Sequence, residues 1–283
     1  MASPGIEMTA EAAAFDEAAD RYDAMGPQFA QPIAARLVDL AGLKPGWQVL
    51  DAGCGAGAVL VRAAAAVSPG GHVTGIDLAP RMLDRAAREA GLLGLGDAIT
   101  LRHGDAARPP CEPGSFNAVV SSLVFYLLAD PAAALAGWHD LLVPGGTLAF
   151  SRGAGPDPRW TPVIAAVDAY AARGAGFDAY VHRPGPLAAT LAMLAESGYT
   201  GITSTVETVT IHYDSPEQWW DASAAEGPWV TWRHIPHERL ADARATGLAM
   251  AEELREQDGG LQRHIRIAYL TARRAETDSR PRE

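Results

Sequence analysis

The sequence predicts an α/β fold built on a doubly wound, largely parallel sheet, and three observations carry that prediction. Val49-Leu50-Asp51-Ala52 is a short apolar run that ends in an acid and leads into Gly53-Cys54-Gly55-Ala56-Gly57, with glycines at alternate positions. Further apolar runs, His72–Asp77 and Ala98–Leu101, alternate with helix-patterned stretches, as strand–helix–strand units do. The three runs are closed or followed by acids, Asp51, Asp77 and Asp105, at the strand ends where doubly wound sheets form their ligand crevice.

Residues 9–25 and 28–41 carry apolar positions at helical spacing, with Thr9 in the capping position of the first. Lys44-Pro45-Gly46 is the turn into the first strand. That strand ends in the glycine turn that opens the next helix. Residues without a Cβ let the chain turn so tightly and leave its amides close to a ligand. Asp77 closes the second strand, where a carboxylate accepts the hydroxyls of a ribose. Asp105 follows the third strand in Arg102-His103-Gly104-Asp105-Ala106, within reach of an exocyclic amine. After Ser151 the pattern changes. Residues 153–186 hold Gly155-Pro156-Asp157-Pro158, an apolar helix near 161–173 and a loop reaching His182-Arg183-Pro184. A helix near 186–197, a strand near 199–211, a second insert at 213–259 and a last strand near 262–272 complete the chain, followed by a polar tail at 275–283.

Composition sets outer limits. A chain of 283 residues with 48% hydrophobic content can bury a sizeable core. Its net charge of −11 argues against nucleic acid or an anionic membrane as partner, since either would be met by a basic face. Cys54 and Cys111 make neither metal-ligand spacing nor a disulfide framework, so a reducing cytoplasm is expected. No basic stretch followed by a long apolar core is present, and no run reaches the length that spans a bilayer. Arginine far outnumbers lysine, Lys44 being the only one, which suggests a GC-rich bacterial genome.

At these residues the chain resembles the class I S-adenosylmethionine-dependent methyltransferases, in particular the small-molecule branch similar to the ubiquinone and menaquinone biosynthesis enzymes. Asp51, Gly53, Cys54, Gly55 and Gly57 match the family's glycine loop, which lies against the methionine part of the cofactor. Asp77 matches the ribose acid, and Leu78 and Met82 fall where the family packs apolar side chains on the adenine. Gly104-Asp105-Ala106 matches the adenine-edge segment, and Ser121-Ser122-Leu123 follows the fourth strand next to the methionine end. Leu142-Val143-Pro144-Gly145-Gly146-Thr147 matches the turn into the fifth strand. The resemblance implies a Rossmann-like sheet of seven strands, mostly parallel with the last strand antiparallel. It also implies one domain over 1–274, with a helical lid at 1–43, a core at 44–152 and inserts that roof the site. S-adenosyl-L-methionine is the implied cofactor and S-adenosyl-L-homocysteine its product. Gly53, Gly55 and Ala58 also fit the dinucleotide pattern G-x-G-x-x-[GA], which keeps an NAD-dependent oxidoreductase open. The three acids and the Pro-Gly-Gly turn taken together favour the methyltransferase.

Substrate choice is expected in the inserts. Four of seven tryptophans, Trp219, Trp220, Trp229 and Trp232, fall in the second. Trp229 and Trp232, after a Gly-Pro break, are the pocket candidates, and Trp219 and Trp220 serve equally well as core. Tyr22, in a setting like the family's lid, and Tyr126, just past the fourth strand, are the other substrate-side candidates. Of eight histidines, His234 and then His182 are the candidate bases, since His72, His103, His139 and His264 sit on or beside regular elements. Arg183 and Arg233 offer a pairing for an acceptor carboxylate. No metal constellation is present, and a metal-independent reaction is expected. The expected activity is methyl transfer to a small, partly apolar or aromatic acceptor, O-methylation in natural-product biosynthesis first. N- or C-methylation, methylation of a peptide carboxylate, and a non-methylation reaction on the same scaffold are the alternatives.

Overall fold

The computed structural model describes residues 8–20, 22, 29–171, 185–223, 232 and 234–276. Its helices are α1 (Ala10–Ala18), α2 (Ala30–Ala41), α3 (Ala58–Val67), α4 (Pro80–Leu92), α5 (Pro131–Leu141), α6 (Thr161–Asp168), α7 (Leu187–Glu196), α8 (Pro216–Ser223) and α9 (His237–Asp258). Its strands are β1 (Gln48–Ala52), β2 (His72–Asp77), β3 (Ile99–His103), β4 (Phe116–Ser122), β5 (Leu142–Gly153), β6 (Tyr199–Tyr213) and β7 (Leu261–Arg274). Thr9 caps α1 as expected, its hydroxyl accepting from the Ala12 N–H at 3.1 Å. That helix is shorter than the sequence pattern suggested, ending at Ala18. The helix expected to 173 likewise ends at Asp168.

The seven strands form one sheet in the order β3-β2-β1-β4-β5-β7-β6. β1, β2, β3, β4 and β5 pair in parallel, and β7 runs antiparallel between β5 and β6. An all-parallel dinucleotide sheet has no such strand. β1 lies at the switch between the two halves, with Asp51 level with Gly75 of β2 and Val120 of β4. The loops after β1, β2, β3 and β4 therefore meet at one carboxyl edge of the sheet.

Alternation along each strand sends side chains to two cores. Val49, Val73, Ala118 and Val120 pack with Ile33 and Leu37 of α2 and Leu60 of α3 on one face. Leu50, Ile76, Val119, Leu148 and Phe150 pack with Leu135 and Trp138 of α5 on the other. The Trp138 indole also donates to the Ala106 carbonyl at 2.8 Å, which fixes the loop after β3.

A third cluster joins α6, α8 and α9 to the far ends of β6 and β7. Trp219 stands 4.9 Å from Trp160, ring centre to ring centre, and Trp232 stacks on Trp220 at 4.5 Å. Gly247 of α9 makes room for them, because a Cβ there would lie 3.0 Å from Val167, 3.2 Å from Trp220 and 3.3 Å from Trp219. Replacing Gly247 by Val should therefore destabilise the protein by about 1–3 kcal/mol, the usual cost of overpacking a filled core. Urea unfolding followed by tryptophan fluorescence measures this, and an unchanged midpoint would contradict the packing.

Candidate functional site

The carboxyl-edge loops enclose a cavity of about 780 Å³, within the roughly 300–1,000 Å³ of small-molecule sites. The chain builds its floor by folding the β1 loop onto the end of β2. Gly53 and Cys54 both donate to the Ile76 carbonyl, at 2.8 and 3.0 Å. Gly53, Gly55 and Gly57 all have positive φ, of 79°, 50° and 96°, which residues with a Cβ adopt only at a cost. Gly57 is the cap residue just before α3, and it lines the cavity with Ala58 and Val59, the first residues of that helix.

Asp77 holds this loop from the neighbouring strand. Its Oδ2 accepts from the Gly55 N–H at 2.8 Å and its Oδ1 from the Ala79 N–H at 2.9 Å. A carboxylate has about four acceptor positions, so these bonds do not exhaust it. Burial raises its pKa above the ordinary value, while the backbone N–H groups of Ala79, Gly55 and Leu78 and the nearby His103 pull it down.

Asp51 is the unusual group. It lines the cavity and is 1% exposed, yet neither carboxylate oxygen has a hydrogen-bond partner. Burial first, and the negative charge of Asp77 second, push its pKa up to about 8, and only the backbone N–H of Leu60 acts weakly the other way. A buried acceptor left unpaired is costly. This geometry suits a ligand that brings a positive charge and N–H donors. The Cys54 thiol beside it is held far above its ordinary value by burial and by both acids, which keeps it protonated and a poor nucleophile.

Leu78, Met82, Asp105 and Ala106 line the same cavity. Asp105 accepts from the Ala107 N–H at 2.8 Å through Oδ1. Tyr22 and Tyr126 are also on the wall, with Phe15 packed edge-on to Tyr22 at 6.2 Å. At the end of β4, Leu123 has φ 58°, the one positive value outside glycine among the described residues. Such a conformation costs on the order of 1–3 kcal/mol. The Leu123 N–H donates to the Ser151 carbonyl at 3.1 Å, and the turn lays Val124 over Gly53, where a Cβ would come within 2.4 Å of it.

Several expected residues stand elsewhere. Ser121 is fully buried and donates to the Ala52 carbonyl at 2.7 Å, tying β4 to β1. Strand alternation turns Ser122 to the cavity in its place. Gly104 is buried just behind the wall, its N–H donating to the Asp77 carbonyl at 3.0 Å. Trp232 is a core residue of the tryptophan cluster and not a pocket residue, because stacking on Trp220 removes its large apolar face from water. His234 is exposed and off the cavity wall. Trp229, His182, Arg183 and Arg233 lie outside the described residues. No described residue beyond Ala134 lines the cavity, and residues 172–184 and 224–231 of the two inserts lie outside the described residues. Phe15 and Phe29 belong to the wall and were not singled out from the sequence. The spacing of Phe15 seven residues before Tyr22, one helical face, was the available signal.

Residues 49–146 match the family described as methyltransferase domain. The chain is 44% identical over 144 residues to nocamycin O-methyltransferase from Saccharothrix syringae, a stretch that is 51% of this chain and 50% of that protein. It is 40% identical over 158 residues to aklanonic acid methyltransferase DauC from Streptomyces sp. (strain C5), covering 53% of this chain and 71% of that protein. The chain thus matches only half the length of the first of these relatives. In three dimensions it is similar to the YcgJ protein of Bacillus subtilis, with a TM-score of 0.59 over 87% of this chain and 99% of that one, at 18% identity. At that identity the likeness concerns the fold.

The Asp51 pKa makes a stability prediction. Its folded value, about 8, lies above the ordinary 3.8, so the folded protein holds one more proton than the unfolded chain from about pH 4 to about pH 8. Across that window the ligand-free protein should lose stability as pH rises, and the slope from this group should vanish on either side. In Asp51→Asn that slope is removed. Urea unfolding at pH 5 and pH 8 tests this, and equal pH dependence in the two proteins would refute the assignment.

Proposed function

The chain belongs to the class I S-adenosylmethionine-dependent methyltransferases, and on that premise we propose that it methylates an oxygen atom of a small, partly apolar or aromatic natural-product intermediate. The observation that carries this reading is the coincidence, in one cavity, of the glycine loop, the unpartnered Asp51 carboxylate, the Asp77 carboxylate with acceptor capacity left over and an apolar wall. The two curated relatives support the acceptor class by their names, one a nocamycin O-methyltransferase and the other an aklanonic acid methyltransferase.

The residues fit the cofactor group by group. Asp51 would accept the ammonium of the methionine part, which supplies the charge and donors its carboxylate lacks. The backbone of Gly53 to Gly57, with no side chains at the glycines, lets that part lie close. Asp77 has acceptor capacity left for the ribose hydroxyls. Leu78 and Met82 offer the adenine an apolar face, and Asp105 keeps Oδ2 for its amine while Ala107 holds Oδ1. Bound there, S-adenosylmethionine supplies a methyl group already made electrophilic by its positive sulfur.

What remains for the protein is to hold the acceptor oxygen in line and to keep water out. Positioning of that kind can supply on the order of 7–11 kcal/mol of the barrier in favourable cases. Tyr22 and Tyr126 are the phenols on the wall that can hydrogen-bond and orient an acceptor. Among the described residues no histidine lines the cavity. The acceptor we favour is one whose oxygen ionises readily, a carboxylic acid, an acidic phenol or an enol, which the phenols of Tyr22 and Tyr126 can orient and for which a general base adds little.

Calorimetric titration with S-adenosylmethionine, S-adenosylhomocysteine and NAD in parallel tests the cofactor, and binding of NAD alone would overturn the reading. In Asp77→Ala the affinity for S-adenosylhomocysteine should fall about 100-fold, the loss of hydrogen bonds to a charged group, with the far-UV circular dichroism unchanged. A panel of acidic phenols, enols and carboxylic acids read by mass spectrometry then tests the acceptor class. Methylation of amines alone would contradict it.

A further inference from the structure

The methionine part of the cofactor carries its ammonium and its carboxylate on one carbon. A group that holds the carboxylate must therefore stand beside Asp51, and it must bring donors and positive charge, because Asp51 and Asp77 both repel an anion. The wall next to Asp51 is made by the first turns of α2 and α3. Ala30 and Gln31 of α2 and Ala58 and Val59 of α3 line the cavity, and neither helix has a side chain capping it. Asp51 stands by α3 at the backbone N–H of Leu60. Two residues further along that helix, Arg62 donates from Nη2 to Oε1 of Gln31 at 3.0 Å, tying α3 to α2.

That bond settles which way the Gln31 amide faces. A guanidinium only donates, so the amide atom that meets it is the oxygen, and the two N–H donors of Nε2 are left for the cavity that Gln31 lines. Arg62 itself is half-buried and forms no ion pair among the described residues, and its Nε is buried without a partner. A cation held away from water with no anion beside it favours the arrival of one. Two other arginines on the wall stand elsewhere, Arg85 bonded to the Ala19 carbonyl and Arg108 just past Asp105. We propose that Gln31, oriented by Arg62, donates to the carboxylate of the methionine part, so that one corner of the cavity takes both charges of that group, Asp51 the ammonium and Gln31 the carboxylate. The proposal rests on the cavity being the S-adenosylmethionine site. Gln31 is the binding residue and Arg62 a positioning residue, whose charge also polarises the amide it holds. The positive ends of α2 and α3 act in the same direction. The site is thereby selective for a ligand with a whole amino-acid end over one that keeps only the amine.

The test compares S-adenosylhomocysteine with its decarboxylated analogue, which keeps the nucleoside, the sulfur and the ammonium, by calorimetric titration of the full chain. The unaltered protein should prefer S-adenosylhomocysteine about ten- to a hundredfold, the factor that hydrogen bonds to a charged group correspond to. Gln31→Ala should lose most of that preference by binding S-adenosylhomocysteine more weakly and the analogue as before. Gln31→Glu is the sharper variant. It keeps an oxygen for Arg62, so α2 and α3 stay joined, and an acid suits the first turn of a helix, yet its carboxylate offers no N–H. It should bind S-adenosylhomocysteine at least as weakly as Gln31→Ala does, with the analogue undiminished. Arg62→Ala should weaken S-adenosylhomocysteine by a smaller factor, about three- to tenfold, because the amide remains but is free to turn. Equal affinity of the unaltered protein for the two ligands would overturn the proposal. So would unchanged affinity for S-adenosylhomocysteine in Gln31→Glu, or equal weakening of both ligands there, which is what a merely structural role produces. Should Gln31→Ala fail to fold, Gln31→Glu decides alone. Failure of the unaltered protein to bind S-adenosylhomocysteine would refute the cofactor reading itself, which binding without preference between the two ligands leaves standing.

Discussion

The carboxylate of Asp77 joins the first strand's loop to the helix that follows the second, and the site is organised around that junction. One oxygen holds the Gly55 N–H and the other holds the Ala79 N–H, while the carbonyl just before it, that of Ile76, takes the N–H groups of Gly53 and Cys54. Four backbone donors that strand pairing leaves unused are thereby satisfied within two residues. A loop so fixed presents its remaining backbone to the cavity in one conformation, which is the preorganisation a tight small-ligand site requires. Because the acid also starts α4, any movement of the glycine loop is felt at the helix that carries Met82 and Arg81.

Around that junction the protein tolerates local cost. Asp51 is buried without a partner beside a second acid, and Leu123 is held in a left-handed conformation. Both lie on the cavity wall, and both are the kind of strain that persists where the surrounding structure over-determines it. The surrounding structure is the pair of apolar cores on either side of the sheet. They fix β1, β2 and β4 in register, and the Trp138 bond to Ala106 carries that rigidity into the loop after β3.

Of the insert's tryptophans, Trp219, Trp220 and Trp232 pack on one another, with Trp160, against the outer strands, and Trp232 thereby serves the core where the pocket was expected. A tryptophan looks the same in a sequence whether its face meets a ligand or another ring. The contacts that decide between the two come from Trp160, about sixty residues earlier, and from the space left by Gly247 in α9. Nothing local to Trp232 reports either. The helix ends at Ala18 and Asp168 were similarly beyond reach, since the apolar spacing continues past the point where the helix stops.

The sequence alone determined the alternation of strand and helix to β5, the glycine turn after β1 and the acids at the ends of β1 and β2 and after β3. Those features are local: a φ that glycine favours, an apolar run of strand length and a charge that ends it. Only the tertiary structure decided that Ser122 and not Ser121 faces the cavity, that Asp51 has no partner, and that Gln31 turns its oxygen to Arg62. Each of these depends on which residues distant in the chain come within hydrogen-bonding distance, and that is set by how the helices and strands pack together, which no local pattern records.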